Sequence, residues 1–379
     1  MKVGVLTFHR ATNYGTALQA YATVRALKNM GIEAELIDYR PEYIERTIRQ
    51  RKIRDARSVK SVASILLNRM VYGGQMQKKI SRFQNFISAM PVSSAKCETL
   101  QQVEAVSRQY DVIVSGSDQL WNEEITGDDR MYFLPFSHPG KITYASSFGV
   151  DHISNQRKAD ILPYLYDFQG ISVREKTAQK MLAELMTDVK KAPPVYRVAD
   201  PTLLLSKEQW LKEIEPQVRL PENGYILTYY MIETPILREI TSKLKRETGL
   251  PVVNIKPSKR QMLLHEGINM MWAGPREFLS CYANAKFVVT NSFHGTAFSI
   301  NFDIPMFISP LPVSMAGEVN SRLVDILQWY GLSDRWIDSP DAVHGVHAGD
   351  LPPGLSDDKE RRKAASLAIL RQMIGSDVQ

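Results

Sequence analysis

Val3-Gly4-Val5-Leu6-Thr7-Phe8, followed by His9-Arg10-Ala11-Thr12-Asn13-Tyr14-Gly15, is the stretch that decides the fold. A short apolar run ends in a polar loop closed by glycine, and residues 16–30 then set Leu18, Tyr21, Ala22 and Leu27 at helical spacing. Gly31 closes that helix and 34–39 reads as a second strand. Strand, loop, helix and strand in succession form a βαβ unit, whose crossover is right-handed by steric preference.

The same grammar continues outward. Two helices are predicted over 58–70 and 77–88, broken at Gly73-Gly74, with strands over 110–114, 142–148, 170–173 and 196–198. The polar, proline-bearing stretch 216–223 reads as a linker. After it the alternation restarts: strands over 225–230, 252–255, 287–290 and 305–308, helices over 235–248, 276–284, from about 294, and over 322–330. A chain of 379 residues exceeds what one core usually fills. The expected fold is α/β, with two Rossmann-like domains facing across a cleft. Residues 1–215 make the first domain, 222–355 the second, and 356–379 a terminal helix that packs on the first.

Charge is unevenly spread. The net charge is +6, yet residues 46–82 hold eleven Lys or Arg against Asp55, so that segment is +10 and the remainder −4. Val62, Ile65, Leu66 and Met70 fall at helical spacing within it, as an amphipathic helix against a membrane surface or a protein requires; a solvated basic arm is the plainer alternative. Sparse aromatics and the lack of a binding motif there argue against nucleic acid. Cys97 and Cys281, one in each half and without His or Cys at ligand spacing, predict neither disulfides nor a metal site. The opening apolar run is too short for a secretory signal or membrane span, which predicts a cytoplasmic protein, peripheral at most to the inner membrane face.

In open parallel sheets, ligands sit beyond the carboxyl ends of the strands, where helix N-termini offer unpaired N–H groups. Four clusters lie at such places. The first is Asn13-Tyr14-Gly15 with Gln19, where Asn13 is a candidate cap and Gly15 permits close approach. The second is Ser115-Gly116-Ser117-Asp118-Gln119-Leu120-Trp121-Asn122, in which Asp118 reads as a base for a hydroxyl or as an N-cap, and Trp121 as a sugar platform or as core. The third joins Tyr144-Ala145-Ser146-Ser147-Phe148-Gly149 to Ser172-Val173-Arg174-Glu175, where Arg174 suits an anion or pairs locally. The fourth is Thr290-Asn291-Ser292-Phe293-His294-Gly295-Thr296. It puts a histidine at a helix start, where the dipole lowers its proton affinity and a bound phosphate would raise it.

These segments, with Asp200-Pro201-Thr202 and in this order over about residues 3–330, resemble the polysaccharide pyruvyl transferase family. The resemblance implies a glycosyltransferase-B-like fold and transfer of pyruvate from phosphoenolpyruvate to sugar hydroxyls of a cell-surface glycan or its polyprenyl-phosphate-linked precursor, leaving a ketal. It implies an acid/base role for His294 and a donor-binding role for Arg174, with no cofactor. Family members of known mechanism carry arginine two residues before that histidine; here the position is Ser292. Lys256, Arg276 and Arg322 are the candidate replacements, since phosphoenolpyruvate carries close to three negative charges. The expected site therefore comprises catalytic His294 and Asp118. Its donor side is Arg174, Asn291, Ser292, Gly295, Thr296, Lys256, Arg276 and Arg322. Its acceptor side is Asn13, Tyr14, Gly15, Gln19, Ser117, Trp121 and Ser147. A nucleotide-sugar glycosyltransferase of the same architecture, or a glycan-binding protein without catalysis, remain the alternatives.

Overall fold

The computed structural model describes residues 1–48, 59–312 and 320–375, the side chains of 46–48 and 59–71 excepted. Its first half runs β1 (Lys2–Leu6), α1 (Tyr14–Asn29), β2 (Glu33–Tyr39), α2 (Glu42–Ile48), α3 (Val59–Ser88), β3 (Val92–Cys97), α4 (Leu100–Ser107), β4 (Val112–Ser115), α5 (Glu123–Thr126), β5 (Lys141–Thr143), α6 (Asn155–Leu165), β6 (Ile171–Val173), α7 (Lys176–Leu185) and β7 (Val195–Arg197). The second runs α8 (Lys207–Leu211), β8 (Tyr225–Tyr229), α9 (Pro235–Thr248), β9 (Val252–Ile255), α10 (Lys259–Leu263), β10 (Ile268–Asn269), α11 (Pro275–Ala283), β11 (Ala285–Thr290), α12 (Phe293–Asn301), β12 (Met306–Ile308), α13 (Ser321–Trp329), α14 (Pro340–Val343) and α15 (Leu355–Met373).

Both sheets are parallel and ordered alike: β3-β2-β1-β4-β5 in the first half and β10-β9-β8-β11-β12 in the second. Bridges from Ile142 to Gly170 and from Ser146 to Val173 extend the first sheet onto β6 and β7. Order 3-2-1-4-5 is the Rossmann winding, with its topological switch between β1 and β4 and again between β8 and β11. Asn13, Asp118, Asn291 and His294 follow β1, β4 and β11, so each lies at the carboxyl edge of its sheet at a switch point.

The halves share one core. Tyr14 of α1 stacks on Phe278 of α11 at 4.8 Å, and its hydroxyl donates to the Ala273 carbonyl at 2.8 Å. Trp210 meets Phe298 edge-on at 5.2 Å. The helix α15 touches both halves, with Ser366 Oγ accepting from the Ala199 N–H at 2.9 Å and Lys359 paired with Asp303.

Three expectations need correction. The helix α3 is continuous through Gly73-Gly74 rather than broken there. Two glycines cost a helix only about 1 kcal/mol each, and the packing of its last turns through Phe83, Phe86 and Ile87 outweighs that. Strand β3 and helix α4 went unpredicted, because an edge strand reading Val-Ser-Ser-Ala-Lys-Cys lacks any apolar alternation. Finally, the basic segment does not present all its cations outward. Arg82 pairs with Glu277 of α11 at 2.8 Å and lies 4.2 Å over the Trp272 ring, and Lys79 lies over Tyr14. The proposed apolar face at Val62, Ile65, Leu66 and Met70 falls outside the described side chains. Among the described residues no helix is long and apolar enough to cross a membrane.

Candidate active site

The site is assembled by two helix N-termini that meet head to head. In the first half, Asn13 caps α1 by accepting from Gly15 and Thr16 N–H at 3.0 and 3.4 Å. In the second, Ser292 caps α12 by accepting from Gly295 N–H at 3.3 Å. Between them sits the His294 ring, so close to α1 that a Cβ on Gly15 would lie 2.0 Å from Nδ1. Glycine at 15 is required by this approach, not by its backbone angles.

Around the ring, the first half contributes a buried network. Asp118 has a left-handed backbone, φ +83, and its carboxylate accepts from Thr16 Oγ1 at 2.7 Å and from Gln119 N–H at 2.9 Å. Strain of this kind survives only where surrounding contacts over-determine it. Arg174, at the end of β6, donates to Asp200 at 2.7 Å, to Glu175 at 3.0 Å and to Ser117 at 3.4 Å, stands 3.8 Å from Asp118, and stacks 4.2 Å over Phe293. Asp200 also accepts from Thr202, and its Oδ2 is 3.8 Å from His294 Nε2. Ser147 donates to Glu175 at 2.7 Å. From the second half, α13 brings in Arg322, and its Asp325 accepts from the N-terminal N–H of α7 and pairs with Arg197 at 3.4 Å.

Burial governs the protonation states. It pushes His294 below its ordinary value; Asp200 and Asp118 oppose this, while Arg174 and Arg322 reinforce it, so the ring is neutral at pH 7. Burial likewise acts against Asp200, but the neighbouring His294 and Arg174 and the Thr202 hydrogen bonds hold the carboxyl below its usual range. Arg174 keeps its charge firmly: burial is outweighed by Glu175, Asp200 and Asp118. Burial and the neighbouring Arg174 draw Arg322 down to about 10, which leaves it cationic at neutral pH. Among the described residues, four polar atoms in this one cluster are buried without a hydrogen-bond partner: Arg174 Nη2, Glu175 Oε2, His294 Nε2 and Arg322 Nε. Buried polar atoms are normally satisfied, so a group of four marks a place where ligand or water completes the network.

The structure thus brings together Asn13, Gly15, Ser117, Asp118, Ser147, Arg174, Ser292, His294, Gly295 and Arg322. Several expected residues do other things. Trp121 is fully buried, stacked on Phe133 at 5.2 Å with its N–H on the Tyr132 carbonyl, so it is core and not a sugar platform. Tyr14 is buried between the halves, its ring on Phe278 and its hydroxyl on the Ala273 carbonyl. The Gln19 amide donates to Thr7 Oγ1 and to the Phe8 and Thr16 carbonyls, which shapes the β1–α1 loop. Arg276 pairs with Glu213 at 3.2 Å outside the cluster. Asn291 spends its amide on Met231 N–H and the Ile232 carbonyl, and Thr296 bonds back to Ser292. Asp200, Glu175 and Asp325 were given no role from sequence. Asp200 directly follows β7, where the carboxyl-edge rule already pointed, whereas nothing marks Asp325 within a helix.

Two Rossmann-ordered sheets with their carboxyl edges facing across a shared polar cluster define a glycosyltransferase-B-like protein. UDP-GlcNAc 2-epimerase from Methanocaldococcus jannaschii superposes with a TM-score of 0.54 at 12% identity, over 98% of this chain and 99% of that one. The Rickettsia bellii UDP-N-acetylglucosamine 2-epimerase gives 0.51 at 10%, over 99% and 96%. At such identities the likeness concerns the fold alone. No curated protein sequence gives a significant match. A model of the polysaccharide pyruvyl transferase family matches residues 13–308, and the chain belongs to that family.

Proposed function

We propose that this protein transfers pyruvate from phosphoenolpyruvate to the hydroxyls of a sugar in a cell-surface glycan or its lipid-linked precursor, closing a ketal. The observation that carries this reading is the convergence of buried His294 with Arg174, Arg322 and Asp118, in a cluster where four polar side-chain atoms lack a hydrogen-bond partner among the described residues. The reaction protonates the methylene carbon of the enol, joins a sugar oxygen to the adjacent carbon, and releases phosphate; a second hydroxyl then closes the ring, its proton leaving on the phosphate. His294, neutral at rest, accepts the proton of the attacking hydroxyl and returns one to the methylene carbon. Asp118, fixed by Thr16 and Gln119, orients the acceptor. Arg174 Nη2 and Arg322 Nε face the donor carboxylate. Fixed dipoles and charges aimed at developing charge lower the barrier because they need no reorganisation.

The test is phosphate release from phosphoenolpyruvate by the purified chain with a panel of synthetic or lipid-linked glycosides. Release that depends on acceptor, and falls about a hundredfold or more in His294→Ala with the fold intact, is expected. Turnover near normal in that variant removes His294 from the mechanism. Calorimetric titration of phosphoenolpyruvate against sugar nucleotides separates pyruvyl transfer from glycosyl transfer.

A further inference from the structure

The cluster around His294 is poorly charged for its task. Its cations, Arg174 and Arg322, face three carboxylates, Asp118, Glu175 and Asp200, and Ser292 adds no charge. A ligand with nearly three negative charges needs positive charge that is not already spoken for. Lys79 on α3 and Lys256 at the end of β9 supply it from opposite halves of the molecule.

The Lys79 ammonium lies 4.6 Å from the Tyr14 ring centroid and 5.8 Å from that of Phe83. Tyr14 is the first residue of α1 and precedes Gly15, against which His294 packs. Lys256 has a left-handed backbone, φ +57, and its ammonium donates to the Met231 carbonyl at 3.2 Å. The Met231 N–H in turn donates to Asn291, adjacent to the cap Ser292, so Lys256 borders the N-terminus of α12. Among the described residues neither lysine has a carboxylate partner. Burial first, then Lys256, draws Lys79 down to about 8, and burial lowers Lys256. Both lysines border the carboxyl end of β8, Lys79 through Tyr14, whose ring meets that of Tyr229 at 5.7 Å, and Lys256 through the Met231 carbonyl, so a phosphoryl group there would meet two cations that no described carboxylate pairs.

We propose that Lys79 and Lys256 form a two-sided phosphate site at the carboxyl end of β8, which takes the phosphoryl group of the donor. This rests on the pyruvyl-transfer reading for the donor's identity, but not for the phosphate chemistry. It also gives the inner end of the basic helix a purpose within the protein itself.

Titration calorimetry of the full chain with phosphoenolpyruvate, inorganic phosphate and diphosphate tests it, using Lys79→Met, Lys79→Arg and Lys256→Met with circular dichroism as the fold check. Phosphoenolpyruvate should bind about tenfold or more weakly to each Met variant and near normally to Lys79→Arg. Equal affinity in the wild type and both Met variants overturns the lysine site and leaves pyruvyl transfer standing. Binding of inorganic phosphate or diphosphate but not phosphoenolpyruvate, lost in the Met variants, supports the site and refutes that donor. No binding of any of the three by the wild type overturns both. If Lys79→Met fails to fold, Lys256→Met decides, since the Lys256 ammonium makes a hydrogen bond only to the Met231 carbonyl among the described residues.

Discussion

Replacing Gly15 by alanine should separate catalysis from stability. The added methyl would stand 2.0 Å from Nδ1, 2.3 Å from Cγ and 2.6 Å from Cε1 of His294. Carbon and nitrogen need about 3.5 Å, so the imidazole must retreat by about 1.5 Å, either through its own rotamer or by parting the two helix ends. Stability should change little. Alanine favours the helix by about 1 kcal/mol, and overpacking costs about 1 to 3, for a net loss of about 0 to 2 kcal/mol. Activity should change a great deal, because a displacement of about 1 Å at a reacting group can cost a hundredfold. The assays are urea unfolding and acceptor-dependent phosphate release, run on the same preparation. Gly15→Ala with a small shift in midpoint and about a hundredfold loss of turnover fits the packing of His294 against α1. Undiminished turnover would show that the histidine does not act from this position.

Other consequences can be measured independently. Asp200→Asn leaves Arg174 short of its nearest carboxylate in a buried place and should cost about 3 to 5 kcal/mol in urea unfolding; a loss below about 1 would mean the ion network contributes little. Because burial lowers the proton affinity of His294, the unfolded chain takes up its proton first as pH falls. Stability is therefore present above about pH 6.5 and is lost on acidification, and the gap between wild type and His294→Gln should move against the wild type between about pH 7.5 and 5.5. Parallel stability curves for the two proteins would contradict a depressed histidine. Gly74→Ala lies inside α3 and its added methyl meets nothing within 4 Å among the described residues, so it should raise stability by about 0.5 to 1 kcal/mol; destabilisation would argue for a bend at that point.

Much of this architecture is legible in the chain because its strands are buried on both faces and read as apolar runs ending in polar clusters. Runs such as Val112–Ser115 and Ala285–Thr290 carry their own signal, and the loops after them located Asp118 and His294. What stayed hidden depends on partners far away in sequence. Trp121 looked like a platform because it sits in a polar loop, but Phe133 and Phe148 enclose it. Arg174 reads in sequence as an anion site or a local pair, and the partner that sequence does not show is Asp200, 26 residues further on, which holds it together with Glu175. Asp325 gave no hint at all, since its use at the start of α7 exists only when the halves meet.

The aromatic contacts from Tyr14 through Phe278 to Phe298 and Trp210 bear on how freely the halves can be exchanged. Rossmann units are often treated as modules, to be recombined between relatives so as to pair one acceptor preference with another donor. Here the dividing line runs through a continuous hydrophobic interior, so a graft cut at residues 216–223 would bring foreign rings into contact with Tyr14 and Trp210. A chimera that keeps this set of rings together should unfold in one calorimetric transition like its parents, and one that splits it should show two.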